Sequence, residues 1–185
     1  MNLDRRGFLK SSTMGLMAFQ LGGSQVLLTP REARAKQVPF QVLRPDEVGA
    51  LEALGDVLLP GAREAGIAHF VDHQLAAEPA DCLLLIRYLD VPPPYISVYR
   101  PALAALNAAS EAVHDAPFTE LGAEDAAALV GVMGQQNPEG WSGPPAPMFY
   151  FVARSDAIDV VYGTEEGFER LDIPYMAHIR PIEKW

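Results

Sequence analysis

The sequence predicts an all-α fold of about six helices around one core, with long Pro/Gly-rich loops and an irregular C-terminal tail. Three observations carry that expectation. Apolar residues recur at three- and four-residue intervals in several segments. Runs of period two are few, and no Asn-Gly or Asp-Gly pair marks a hairpin. Proline and glycine clusters divide the periodic segments, most densely at Pro92-Pro93-Pro94 and from Asn137 to Pro145.

Taken in order, Lys36 to Leu43 reads as an extended arm, with Val38, Phe40 and Val42 alternating with polar residues. Pro45-Asp46-Glu47 is a helix start, with proline in the first turn and acids against the positive end of the dipole. Val48, Leu51, Leu54 and Leu58 continue it, and Pro60-Gly61 stops it. Ile67, Phe70, Val71 and Leu75 predict a second, shorter helix. Cys82 to Leu89 is apolar almost throughout and reads as buried. The three prolines after Val91 remove backbone donors and fix φ, so that stretch is an extended connector. Val98 to His114 predicts a longer helix with Leu103, Leu106, Ala109 and Val113 inward. Glu124 to Met133 predicts another, with Ala127, Leu129, Val130 and Met133 inward. Met148 to Tyr162 closes the helical part, with Gly163 at the C-cap position. Isolated helices this short are marginal in water, so tertiary burial must hold them. The remainder, 164–185, is rich in aromatics and proline and has little periodicity.

The N-terminus has a different character. Arg5-Arg6-Gly7-Phe8-Leu9-Lys10 precedes twenty residues, 11–30, without a charge. Arg5, Arg6, Phe8, Leu9 and Lys10 resemble a twin-arginine export signal, although Asp4 stands where that pattern usually has Ser or Thr. The uncharged run could span a bilayer by length. Its glycines, serines, threonines and glutamines suit the h-region of a signal peptide instead. Ala33-Arg34-Ala35 follows, with small residues at both positions of an A-x-A cleavage pattern. The expected organisation is a signal peptide over 1–35, cut after Ala35, and a single helical domain over 36–185. Export of an already folded protein usually means that a cofactor, or a partner holding one, is loaded before transport.

The whole chain has 14 basic and 24 acidic residues. Removing the five basic and two acidic residues of 1–35 leaves 9 against 22, a net charge of −13. Nucleic acid is an unsuitable partner for such a chain, since binding it needs Lys and Arg to neutralise phosphates. Cys82 is the only cysteine, which excludes an intramolecular disulfide, an iron–sulfur cluster held by this chain alone and a Cys-x-x-Cys-His haem attachment. Its apolar neighbours make it a small buried hydrophobe.

Candidate chemistry is sparse. His69 and His73 are four apart and share a helix face, the spacing of half a zinc site. A stand-alone periplasmic metal-binding protein or enzyme using this pair is the alternative function. A third ligand would have to come from afar, from His114 or His178. The pairs Asp46-Glu47, Glu124-Asp125 and Glu165-Glu166 sit at helix starts or turns, where acids stabilise exposed N–H groups. No nucleophile elbow and no phosphate loop occur, so the residues make no positive case for catalysis by this chain.

One stretch is more particular: Asp159-Val160-Val161-Tyr162-Gly163-Thr164-Glu165-Glu166-Gly167-Phe168-Glu169-Arg170-Leu171-Asp172-Ile173-Pro174-Tyr175-Met176-Ala177-His178-Ile179-Arg180-Pro181. It resembles the C-terminal signature of the gluconate 2-dehydrogenase subunit 3 family, small subunits of membrane-associated flavin dehydrogenases. Leu54-Gly55-Asp56-Val57-Leu58-Leu59-Pro60-Gly61, with Gly66-Ile67, is similar to that family's early segment, where a helix carrying an Asp ends at Leu-Pro. The resemblance implies a large partner subunit of the glucose–methanol–choline type that carries FAD and oxidises a sugar or alcohol. It also implies a multi-haem c-type cytochrome in a third subunit, and a small subunit that accompanies the large one through the twin-arginine translocase. The working place would be the periplasm, at the inner membrane through the partners. It implies no cofactor and no catalytic residue in this chain. The tail then has a use: Tyr162, Phe168, Pro174, Tyr175, Met176, His178, Ile179 and Trp185 supply the anchors that interface cores favour.

Overall fold

The computed structural model describes residues 16–173. It begins with an antiparallel hairpin, β1 (Met17–Leu21) and β2 (Ser24–Leu28), in which Phe19 pairs with Val26. Gly22 and Gly23 both take positive φ, 58° and 80°, which suits a tight two-residue hairpin turn. Eight α-helices follow among the described residues: α1 (Pro30–Ala35), α2 (Pro45–Leu58), α3 (Ala62–Ala65), α4 (Ile67–Ala76), α5 (Ile96–His114), α6 (Ala123–Met133), α7 (Ala146–Tyr162) and α8 (Glu165–Arg170). Two short 3-10 turns, Leu85–Tyr88 and Phe118–Glu120, lie in the connections.

The all-α reading is correct in class and differs in detail. Helix α2 runs through the middle, packed against α3, α4, α5, α6 and α7. Its apolar stripe explains this, since Leu51 and Leu54 have no exposed surface. Helix α7 closes the other side with Phe149, Val152, Ala153 and Ala157 fully buried. Tyr99 from α5 meets Phe149 edge to face at 5.6 Å. Truncating such a core leucine costs about 2–5 kcal/mol, so these few side chains set the stability of the bundle.

Residues 17–35, expected to be part of a signal peptide, form the hairpin and α1 and lie against α3 and α4. The uncharged run carries a period-two pattern of Met17, Phe19, Leu21 and of Val26, Leu28, and its Gly-Gly pair is itself a hairpin turn. The structure departs from the expected pattern in further details. Val113 is exposed rather than inward, because it lies in the last turn of α5 beyond the reach of α7. On α6 the inward alanine is Ala126, not Ala127, a shift of one residue around the stripe. Leu83 and Tyr88 point to solvent while Cys82, Leu84 and Ile86 are buried, so 82–89 alternates instead of sinking whole. The first part of the tail is helical: Thr164 caps α8 by accepting from the N–H of Gly167 at 3.1 Å.

Gly66 joins α3 to α4 with φ +89°, and a Cβ there would overlap the carbonyl of Pro30. Gly61 has φ +91° with open space around it. Alanine at Gly61 therefore costs only backbone strain, about 1 kcal/mol, whereas alanine at Gly66 also pushes α1 away and costs at least about 1–2 kcal/mol more. Urea unfolding of the two full-length variants measures that difference; equal midpoints would mean that α1 does not hold its place against α3.

Candidate functional site

The signature stretch sits where α7 hands over to α8. Tyr162 is half-buried and packed on the main core. Phe168 is half-buried on α8. Leu171 and Ile173 beyond it are about half exposed, at 46% and 50%. Pro174, Tyr175, Met176, His178, Ile179 and Trp185 lie outside the described residues. The structure thus places two of the eight expected interface residues, six positions apart at the root of the tail.

Two clefts open beside this root, of about 310 and 250 Å³. Both share Pro30, Val160 and Thr164, so they lie on either side of one seam between α1 and the end of α7. Arg31 of α1 faces Glu166 of α8 across the first cleft at 3.8 Å, an exposed pair worth at most about 1 kcal/mol. The seam is therefore bridged weakly. Further along α7, Phe151 and Ile158 are exposed on one helix face, seven residues apart.

The histidines share a face, as their spacing implies. Phe19 covers both, at 5.1 Å from His73 and 6.4 Å from His69, and Phe40 stacks on His69 at 4.4 Å. His69 Nε2 lies 3.0 Å from the carbonyl of Val38, which fixes the donor there as Nε2–H and leaves Nδ1 unprotonated and without a partner. Burial holds both imidazoles below their usual pKa, so they are neutral rings inside an aromatic cluster. Asp72 between them turns the other way, onto the arm at 41–43. Among the described residues no group of three or more His, Cys, Asp or Glu side chains could hold a metal ion, and His178 lies outside them.

A different polar group went unread. Asp156 on α7 is fully buried and accepts a 2.6 Å bond from the Tyr99 hydroxyl, while its Oδ1 has no partner. Burial pushes its carboxyl up to about 7 and raises the Tyr99 phenol as well. Cys82 lies near, its thiol raised by burial. The sequence held a sign of this: Asp156 stands four residues from both Val152 and Val160, on the inward stripe of α7. The cluster is sealed on every side, so its chemistry is that of a buried hydrogen bond rather than of a reaction centre.

A family profile described as gluconate 2-dehydrogenase subunit 3 matches residues 45–178, well over half of the chain. The chain belongs to the gluconate 2-dehydrogenase subunit 3 family. Neither the curated proteins nor the solved structures hold a significant match to it. The family name makes it a subunit of a multi-subunit dehydrogenase complex. The gluconate 2-dehydrogenase subunit 3 domain starts at Pro45, the first residue of α2, and ends within the tail at His178. It takes in Tyr162, Phe168, Pro174, Tyr175 and Met176, and leaves the hairpin and α1 outside. Its helix-borne acid, Asp56, accepts the N–H of Arg63 at 3.0 Å and pairs with that guanidinium at 3.4 Å. The motif at Leu59-Pro60 is thus the corner that launches α3. No helix among the described residues is long and apolar enough to cross a membrane.

The buried carboxyl gives a signed pH dependence. Between pH 3.8 and 7 the folded protein keeps the Asp156 proton that the unfolded chain releases, so this group's contribution to stability declines as pH rises through that window. His69 and His73 act in the opposite sense, because only the unfolded chain takes up their protons as pH falls below 6.5. Asp156→Asn is neutral at every pH. It should gain about 1–2 kcal/mol over wild type at pH 8 and little at pH 5. Chemical denaturation at the two pH values checks this, and an equal effect at both would contradict a buried titrating carboxyl.

Proposed function

We propose that this subunit is non-catalytic and serves a periplasmic, FAD-dependent dehydrogenase of gluconate, a sugar or another alcohol. It assists assembly of a large flavoprotein subunit of the glucose–methanol–choline type and carries it through the twin-arginine translocase. In this reading a multi-haem cytochrome c is a further partner, and the assembled complex works at the inner membrane. One observation carries the reading: a single chain joins Arg5-Arg6-Gly7-Phe8-Leu9-Lys10 to a domain of this family. A folded-protein export signal on a dehydrogenase subunit has a purpose if the cargo is the folded subunit beside it. The acidic balance of the chain supports a protein partner rather than a polyanion. The exposed Leu171 and Ile173 at the root of the tail supply apolar surface continuous with the signature stretch.

Replacing Arg5 and Arg6 together by Lys should strand both subunits. Fractionation should then find the dehydrogenase activity and the flavin absorbance in the cytoplasm. A large subunit that still reaches the periplasm would remove the carrier role. A second measurement addresses the tail. Tyr175→Ala combined with Trp185→Ala should weaken capture of the flavoprotein by roughly 2 kcal/mol or more, about thirtyfold in Kd. An unchanged affinity would place the interface on another face.

A further inference from the structure

The clearest disagreement between sequence pattern and fold concerns Ala33-Arg34-Ala35. As a cleavage pattern it should lie in an accessible, extended segment that a peptidase can bind. In the structure it is the last half of α1. Ala33 has no exposed surface and, with Phe19, Leu28 and Val38, forms a second small core. Its carbonyl accepts the N–H of Val38, and the Arg34 guanidinium bonds to Glu52 of α2 at 3.2 Å. The helix has a built start as well: Thr29 and Glu32 exchange side-chain and backbone bonds in a capping box.

The body of the protein is shaped to receive this segment. Gly66 turns with positive φ directly beneath the carbonyl of Pro30, an approach that a Cβ would prevent. His69 and His73 carry buried, unpartnered Nδ1 atoms, and Phe19 lies over both rings. Removing residues up to 35 would take Phe19 off both imidazoles and leave Glu52 without Arg34. The remaining partner of Glu52 would be Arg63, at 3.7 Å. A disposable leader does not ordinarily leave such a complementary imprint on the protein it precedes.

We propose that residues 17–35 are a permanent part of the folded subunit, docked as a hairpin and helix over His69 and His73, and that no cleavage occurs after Ala35. The segment then has a structural role besides any role in transport: it forms one wall of the cleft pair at the root of the tail, through Pro30. The export reading enters only in the choice of compartment from which the chain is collected.

The test uses the full chain with a C-terminal affinity tag, expressed in a host with a twin-arginine translocase. Intact mass of the protein recovered from the periplasm should include residues 17–35. A mass that begins at Lys36 overturns the proposal. The full-length Phe19→Ala variant is measured beside it. Its Tm should fall by roughly 10 °C relative to wild type when both are taken from the same compartment. An unchanged Tm overturns the docking, whatever the mass. If no protein is exported, the periplasmic sample is empty, which counts against the carrier role alone. The melting comparison on the cytoplasmic protein then decides the docking by the same criterion. Should Phe19→Ala fail to fold, Phe19→Leu keeps the measurement, with a smaller fall expected and no change again overturning it.

Discussion

Asp72, on α4 and nearly sealed from solvent, accepts the N–H groups of Gln41, Val42 and Leu43, each at 2.8 Å. Three backbone donors of an irregular arm are thus satisfied by one carboxylate, where a strand or helix would have satisfied them in ladders. The arm so fixed delivers Arg44 to the start of α2, where Glu47 accepts its N–H at 2.8 Å. Glu47 in turn holds Arg100 of α5, and Arg100 reaches back to the carbonyl of Val42 at 3.1 Å. Four segments are tied through two acids, one arginine and the arm between them. Hydrophobic burial stabilises the bundle without direction. This network supplies the direction, because each member has a single partner geometry that satisfies it.

The same device recurs in several connections. Gln74 accepts the N–H of Leu83, Asn107 that of Phe118 and Asn137 that of Ala146, while Ser110 donates to the carbonyl of Ala116. Long loops without ladders must find partners for their backbone groups, and side chains on helices and in the loops themselves provide them. The consequence for function is indirect. Polar groups in the interior are occupied in holding loops, or, like Asp156, are closed away from solvent. Near the signature stretch, Leu171 and Ile173 expose apolar surface among charged residues, and the seam between α1 and α7 is bridged weakly.

Much of the helical order was legible because it follows from periodicity. The limits of α2 and α4 came from Pro45, Pro60 and the spacing of Leu51, Leu54, Ile67 and Val71, and those residues are buried as the pattern requires. Periodicity reads a face only to within a residue or so, hence the errors at Ala127 and Val113. It fails where two readings share one composition. An uncharged run of Gly, Ser, Gln and apolar residues suits an h-region and a hairpin equally well. The Gly22-Gly23 turn and the alternation around Phe19 are the features that mark the hairpin. Asp156 was missed for another reason. An acid on an apolar stripe declares itself only if the stripe is asked what opposes it, and its partner Tyr99 lies 57 residues away.

The candidate site was legible as a family signature and not as geometry, and the reason is physical. A catalytic site announces itself in sequence because its chemistry demands particular residue types at fixed offsets. An interface demands only shape, apolar area and a few anchors, which many arrangements supply. The stretch from Asp159 to Ile173 illustrates this. Its hydrogen bonds and caps, Thr164 to Gly167 and Glu166 to Arg170 among them, explain why α8 folds back beside α7. They do not require Leu171 and Ile173 to be apolar and exposed, since polar residues there would serve the fold equally well. Apolar surface that the fold does not use thus stands next to residues that the fold uses fully, and this contrast is what supports the proposed interface at the root of the tail.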